Sequence, residues 1–554
     1  MSDQLNITIE GYGKEVVPKN SSILDLVKKL KLDDVMAAKI DNEFLNLNVG
    51  FERDANVEFV RVSDKAGHRM YVAALKFMMI VAVQEIFGRE SAVYVKHSID
   101  KGTYCELDIN RVLTDEDVEK IKTRMHEYVD RDLPFEKISA DKASAVKYFK
   151  QEQEFEKAEN ADETINDNLT LYKLFDYYNY FYVNLPVSTG CIKLFDLKRI
   201  NEVGVVLQYP EREDPTVIPP YTHFTEVFNS FDSYNDWLEL IDTLYVSDLN
   251  NYVSEGKIDD FIRINEIRYN KQLLDIVDEV RKRKDELKIV LLGGPSSSGK
   301  TTSTKKLSMY LKAYGFNPLV ISVDDYFLER EQSPKDENGE YDFECLEALD
   351  AKLFNEQLSK LIRGEEVIVP KFNFLTGKKE FEEKNRVKLE TNGIILIEGL
   401  HCINEKLTEG IDKKYKYKIY ISPFNPLTID RHNHISTVDM RFLRRMVRDN
   451  LFRGYSPEKT LATWKSVRNG EKKYLFPHLQ EADTVLNTAL VYEIGVLKVY
   501  AEPLLYSIKP TSPYYEESRR ILSFMNSFFS IPSEFVPLDS ILREFIGGSY
   551  FRDK

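Results

Sequence analysis

Over residues 1–64 the chain alternates short runs of period two with turns. Leu5-Asn6-Ile7-Thr8-Ile9 puts every second side chain on one apolar face, Gly11-Tyr12-Gly13 reverses the chain, and Val57-Glu58-Phe59-Val60-Arg61-Val62 alternates again. Period two marks a strand, because successive side chains point to opposite faces. Between these runs, Ser21-Ser22-Ile23-Leu24-Asp25-Leu26-Val27 opens a helix with serine placed to cap it. The order strand, strand, helix, strands predicts a small β-grasp module.

Residues 65–240 mix both periods and predict an α+β domain. Met70–Phe87 and Asp115–Val129 read as helices, the second with Thr114 as N-cap. Ala92-Val93-Tyr94-Val95 and Thr103-Tyr104-Cys105-Glu106-Leu107 read as strands. The charged stretch Gln151–Asn168 predicts a surface helix or loop. Tyr71–Phe87 is the most apolar run, but Lys76, Gln84 and Glu85 interrupt it. A membrane span needs about 20 mostly apolar residues, so this run reads as a buried helix. Residues 241–287 are helical and end in Arg281-Lys282-Arg283-Lys284-Asp285-Glu286, a connector into the next domain.

From Lys288 the pattern changes to continuous apolar runs: Ile289-Val290-Leu291-Leu292, Leu319-Val320-Ile321-Ser322-Val323, Ile394-Ile395-Leu396-Ile397 and Ile419-Tyr420-Ile421. Helical segments separate them. Buried parallel strands with helical crossovers have this signature, which predicts an α/β domain over 288–510 with a parallel sheet flanked by helices. A tail over 511–554 carries Ile541-Leu542-Arg543-Glu544-Phe545-Ile546-Gly547-Gly548, a packing helix with a glycine stop.

Composition narrows the function classes. A length of 554 residues suits about three or four domains. The net charge of −15 makes the whole chain a poor polyanion binder, although a local basic face can still bind one. Cys105, Cys191, Cys345 and Cys402 lie far apart without a CxxC, which argues against disulfides and a cysteine zinc site. The start, MSDQLNITIEGYGKE, lacks a signal-peptide layout. These features predict a cytoplasmic protein without a membrane partner; the oligomeric state stays open.

The strongest local chemistry is Gly294-Pro295-Ser296-Ser297-Ser298-Gly299-Lys300-Thr301, a full G-x-x-x-x-G-K-[ST] between a buried strand and the helix Thr302–Tyr314. Glycines let backbone N–H groups turn inward around phosphate oxygens, and the helix N-terminus adds partial positive charge. Lys300 is placed for the β- and γ-phosphates of ATP, and the Thr301 hydroxyl for Mg²⁺. Three features point to a kinase. Asp324 and Asp325 follow the next apolar strand, where a carboxylate can accept a hydroxyl proton or hold Mg²⁺, or simply cap a helix. Glu398 ends the strand Ile394–Ile397 in a Walker-B-like position. Arg441, Arg444, Arg445 and Arg448 recur at helical spacing, with Arg453 beyond, giving a helix with an arginine face toward solvent or a transferring phosphoryl group. No N/TKxD-like base-reading motif of a GTPase is in place.

At these residues the chain resembles the uridine kinase/phosphoribulokinase family, over about 288–490. Gly293 to Thr302 looks like its P-loop, Val323-Asp324-Asp325-Tyr326-Phe327 its D-S-F-Y segment, and Tyr341-Asp342-Phe343 with Glu347-Ala348-Leu349-Asp350 its F-D-H-P-D-A-F-D. Glu398-Gly399-Leu400 matches E-G-I, and Arg444 to Asp449 with Arg453-Gly454 resembles R-R-V-L-R-D and the lid. The resemblance implies Asp324 as base, Asp342 on the acceptor's ribose, and Phe327, Phe372 and Arg445 as further acceptor contacts. Lys300, Arg448 and Arg453 would stabilise charge, and Thr301, Glu398 and Asp324 would hold Mg²⁺. In the pyrimidine-contacting stretch, Pro370-Lys371-Phe372-Asn373-Phe374-Leu375-Thr376-Gly377, Gly377 replaces the family's histidine. Tyr455 replaces one arginine of its R-G-R.

Residues 1–64 look like the TGS module of threonyl-tRNA synthetases, and 65–240 like their second additional domain. The second likeness rests on Arg69 and its apolar helix, on His97-Ser98-Ile99-x-x-Gly102-x-Tyr104-Cys105-Glu106, and on Pro186-Val187-Ser188-Thr189-Gly190. That domain edits mischarged tRNA through HxxxH and CxxxH pairs. Here those positions are Met70 and Ala74 (His68 has Val72 four residues on), then Phe181 and Leu185, which cannot replace such donors. His432 and His434 are the only close histidine pair and read as surface or lid-adjacent. Three functions are open to such a chain: an ATP-dependent kinase of a small molecule, most simply a nucleoside; an RNA- or tRNA-binding regulator through residues 1–240 with an ATP switch; and, last, an editing hydrolase.

Overall fold

The computed structural model describes residues 4–99, 101–164, 166–335, 339, 341–373 and 376–551. Phe374 and Leu375 of the 370–377 stretch lie outside the described residues. Five parallel strands organise the C-terminal half: β1 (Ile289–Gly293), β2 (Asn317–Ser322), β3 (Gly393–Gly399), β4 (Lys416–Ser422) and β5 (Thr484–Asn487). They stand in the order β2-β3-β1-β4-β5. Strand alternation explains why β1 is apolar throughout. Ile289 and Leu291 join a cluster with Ile321, Ile397, Phe354 and Leu358 on one face, while Val290 and Leu292 join Leu307, Leu396 and Ile419 on the other. β2 departs furthest from full burial: it is one edge of the sheet, and Val320 is exposed.

The second face extends far beyond the sheet. Helices Val246–Ser254 and Ile258–Lys282 supply Leu249, Phe261, Tyr269 and Leu273 to that same core, and the C-terminal segment supplies Ile521, Ile541 and Phe545.

Residues 4–61 form a five-stranded sheet around helix Ile23–Lys29, which Ser22 and Asp25 close with a capping box. Helix Lys65–Phe87 comes next. It is long and apolar enough to cross a membrane, but most of its apolar stretch is buried under the four-stranded sheet of Ala92–Ile99, Gly102–Asp108, Asp196–Arg199 and Gly204–Gln208. Met70, Ala74 and Leu185 are buried in this core, and Phe181 packs on Phe77 with ring centroids 5.6 Å apart.

Two expectations are corrected where the halves meet. The charged 151–168 stretch is not simply a solvated surface: Glu154, Glu156 and Lys157 of helix Phe155–Glu163 and its start are buried. They meet the hairpin 428–434, so His432 is buried rather than at the surface. Arg431 pairs with Glu156 at 2.6 Å, Val95 N–H donates to the Arg431 carbonyl at 2.7 Å, and Lys157 pairs with His432. His434 Nδ1 lies 3.3 Å from Lys76 Nζ. The charges escape water because each finds a partner across the interface. A second link joins Arg69, Glu517, Arg520 and Asp439, with Arg520 bidentate on Asp439 at 2.7 and 2.9 Å.

Candidate active site

β1 ends in a loop that leaves no room for a side chain at Gly294. A Cβ on Gly294 would lie 2.2 Å from the Ile421 carbonyl oxygen. Ser297 and Gly299 adopt φ of +60° and +87°, the left-handed region that turns successive N–H groups inward. The helix Lys300–Ala313 starts directly after Gly299, which has no side chain to cap it, so no N-cap side chain occupies its first amides. Lys300 Nζ donates to the carbonyls of Gly294 at 2.8 Å and Pro295 at 3.0 Å, which places its charge across the loop mouth.

The arginine helix, Thr437–Arg453, corrects the picture of an arginine face toward solvent. Arg441 and Arg444 are fully buried. Arg441 is bidentate on Glu471 at 2.6 and 2.8 Å and donates to the Ser296 carbonyl at 3.0 Å; Glu471 in turn accepts the Ser296 N–H at 3.0 Å. Arg444 binds Glu493 at 3.0 Å and the Thr488 carbonyl at 2.7 Å, and the Thr488 hydroxyl donates to the Ser298 carbonyl at 2.7 Å. Two arginines therefore hold the phosphate loop by its backbone. Arg445 faces the loop and donates to Ser296 Oγ at 2.9 Å. Arg448 and Arg453 lie 3.2 and 3.1 Å from the buried Asp449.

Carboxylates gather at the carboxyl ends of the strands. Glu398 pairs in register with Leu292 on one side and Ser322 on the other, whose hydroxyl donates to it at 3.4 Å. Burial pushes its carboxyl up to about 7, Lys300 opposes this, and Asp324 adds to it. Asp324 sits in the turn Val323–Tyr326 just past β2, opens to the cleft, and is raised by desolvation against the pull of Lys300. Asp325 points the other way, pairing with Lys371 at 3.1 Å and accepting the Phe372 N–H at 3.3 Å. It anchors the hairpin that carries Phe372, whose ring lies 5.7 Å from that of Phe327. Asp342 accepts the Tyr474 hydroxyl at 2.6 Å and the Glu344 N–H at 3.0 Å. Desolvation raises the Glu344 carboxyl, with Glu471 and Asp324 adding to it and Lys300 and Arg445 opposing. Glu344 thus shares one electrostatic neighbourhood with the P-loop lysine and Asp324.

A phosphate loop facing paired strand-end carboxylates across one lysine is the layout of a phosphotransferase, and the comparisons place it. Residues 289–494 match the family described as Phosphoribulokinase / Uridine kinase family. Over that stretch the C-terminal half is similar to the P-loop kinases of that family. A uridine kinase of Borrelia duttonii (strain Ly) is 28% identical over 209 residues, which cover 36% of this chain and 86% of the relative. A threonine–tRNA ligase of Thermotoga neapolitana is 26% identical over 200 residues, 36% of this chain and 31% of the relative. The chain therefore spans about a third of the length of the ligase it matches. Among solved structures, a putative fructose transport system kinase from Silicibacter sp. TM1040 is 18% identical, covers 38% of this chain and 98% of its own, and has a TM-score of 0.28. A possible uridine kinase from Bacillus stearothermophilus, also 18% identical, covers 38% of this chain and all of its own with a TM-score of 0.24.

The kinase site includes groups that the sequence pattern does not single out. Glu471 and Glu493 are separated from their arginines by 30 and 49 residues, and no local periodicity marks them. Glu344 adjoins Asp342, so its neighbourhood was the one available signal. For a divalent cation the donors Thr301, Asp324 and Glu398 are hard oxygens. Among the described residues no group of three or more His, Cys, Asp or Glu side chains is placed to hold a metal. That set fits Mg²⁺, which binds through one or two carboxylates together with substrate phosphates and water.

Proposed function

We propose that the chain is an ATP-dependent kinase that transfers the γ-phosphate to a hydroxyl of a small polyhydroxylated acceptor, most simply the 5′-hydroxyl of a nucleoside. One observation carries the reading: Asp324 stands at the mouth of the cleft, within the field of Lys300, with its carboxyl raised above the ordinary range. A raised carboxylate is a better proton acceptor near neutral pH. In this reading Asp324 takes the proton from the acceptor hydroxyl. The freed oxygen bonds to the γ-phosphorus as its bond to the β,γ-bridging oxygen breaks, and the electron pair leaves with ADP. Lys300 and the inward N–H groups stabilise the charge on the phosphoryl oxygens, with Arg448 and Arg453 joining from the arginine helix. Thr301 and Glu398, with Asp324, would hold Mg²⁺, which neutralises phosphate charge when bound. Asp342, Phe327 and Phe372 border the acceptor side, Asp342 for a sugar hydroxyl and the two rings for a flat base. Gly377 and Tyr455 support an acceptor that differs from uridine.

The test is transfer of label from γ-labelled ATP to a panel of nucleosides and sugars by the full chain and by Lys300→Ala. A labelled acceptor made by the first and not by the second supports the reading. No labelled product from any acceptor refutes it.

A further inference from the structure

The C-terminal segment packs against the helix that follows the phosphate loop. Lys306, on the P-loop helix, donates to the Asp539 carbonyl at 3.1 Å and pairs with its carboxylate at 3.0 Å; Lys305 donates to the Phe551 carbonyl at 3.1 Å. The Ile541 side chain fills the space beside Gly299, where a Cβ would lie 2.3 Å from its Cδ1. The Phe545 ring lies 5.1 Å from the Arg444 guanidinium. This packing brings the Glu544 carboxylate to the start of the P-loop helix. Its Oε2 accepts the Thr302 hydroxyl at 2.6 Å and the Thr302 N–H at 3.3 Å.

These donors have a job in any phosphate loop. The N–H groups that open the helix after G-K-[ST] face the phosphate chain, and the helix end favours an anion there. Glu544 is also close enough to add to the field that raises Glu398 and to favour the charge on Arg448. Its carboxylate therefore lies among the phosphate-binding groups rather than on the outer surface of the helix. One hydroxyl and one N–H cannot serve two anions at once, and a triphosphate brings negative charge to the same place.

We propose that Glu544 occupies the position of a phosphate oxygen at Thr302, and that the segment 539–551 must release this contact for a nucleotide to bind, so that Glu544 sets nucleotide affinity. The proposal rests on the kinase reading above. A carboxylate at a helix start also stabilises the helix, and the two roles separate by experiment.

Titration calorimetry with MgADP on the full chain and on Glu544→Gln measures affinity without any acceptor. The expected result is a Kd about tenfold lower for the variant, because a charge-assisted contact no longer competes, with a matching fall in KM for ATP. Hydrogen exchange on the unaltered chain gives a readout that needs no variant: MgADP is expected to speed exchange in 539–551 while slowing it in the P-loop. Unchanged or weaker binding by Glu544→Gln, with 539–551 no faster, overturns the proposal and leaves the kinase reading standing. Binding of MgADP by neither chain overturns both.

Discussion

Replacing Glu398 with glutamine is expected to stabilise the protein while disabling it, and the gain should depend on pH. Burial holds this carboxyl at about 7 against an ordinary 4.5, with Lys300 opposing and Asp324 and Glu544 reinforcing. At about 1.4 kcal/mol for each tenfold change, the folded state prefers the neutral form by about 3 kcal/mol. The side chain is partly open to the cleft, and solvent screening reduces the expected figure to about 1–2 kcal/mol. The folded value lies above the unfolded one, so between pH 4.5 and about 7 the folded chain binds the extra proton. Stability from this group therefore falls as pH rises through that window, and the penalty is constant above it. Glu398→Gln should gain about 1–2 kcal/mol over the parent at pH 8 and nothing from this source near pH 4.5, while phosphoryl transfer falls about a hundredfold. Trp464 is buried in the kinase core and Trp237 packs against it, so urea unfolding followed by tryptophan fluorescence reports this unit. An equal gap at both pH values, or a less stable variant at pH 8, would refute the reasoning.

Other substitutions separate chemistry from scaffold. Asp324→Asn should lower kcat by about 10²–10⁴-fold with MgADP affinity nearly unchanged, measured by initial rates and calorimetry. Glu493→Gln leaves the fully buried Arg444 without its counter-charge and should cost about 3–5 kcal/mol in urea unfolding. Gly299→Ala forces a side chain into φ +87° and onto Ile541; MgADP binding should disappear, and residues 539–551 should lose protection from exchange.

Much of this architecture was legible along the chain. The β1 strand and the P-loop were readable because a strand buried on both faces is apolar at every position, and because the loop needs glycines at fixed spacing. The edge position of β2 was not, since Val320 belongs to an apolar run yet is exposed. The arginine helix showed its spacing but not its partners: Glu471 and Glu493 come from later elements, and only the folded chain brings them to Arg441 and Arg444. Burial of Glu154, Glu156 and Lys157 was equally hidden, because a charge run reads as solvated until a partner hairpin is placed against it. Glu544 carried no signal at all, since its role depends on a tail folding back across 242 residues to Thr302.

Transfer to an acceptor hydroxyl with Asp324 as base is the central claim. The most direct test compares the best acceptor of the panel with its 5′-deoxy analogue, using γ-labelled ATP and the parent or Asp324→Asn chain. A labelled acceptor is expected only with the parent chain and the intact hydroxyl. Label appearing as free phosphate at the same rate without acceptor, or equal labelling by Asp324→Asn, would contradict it.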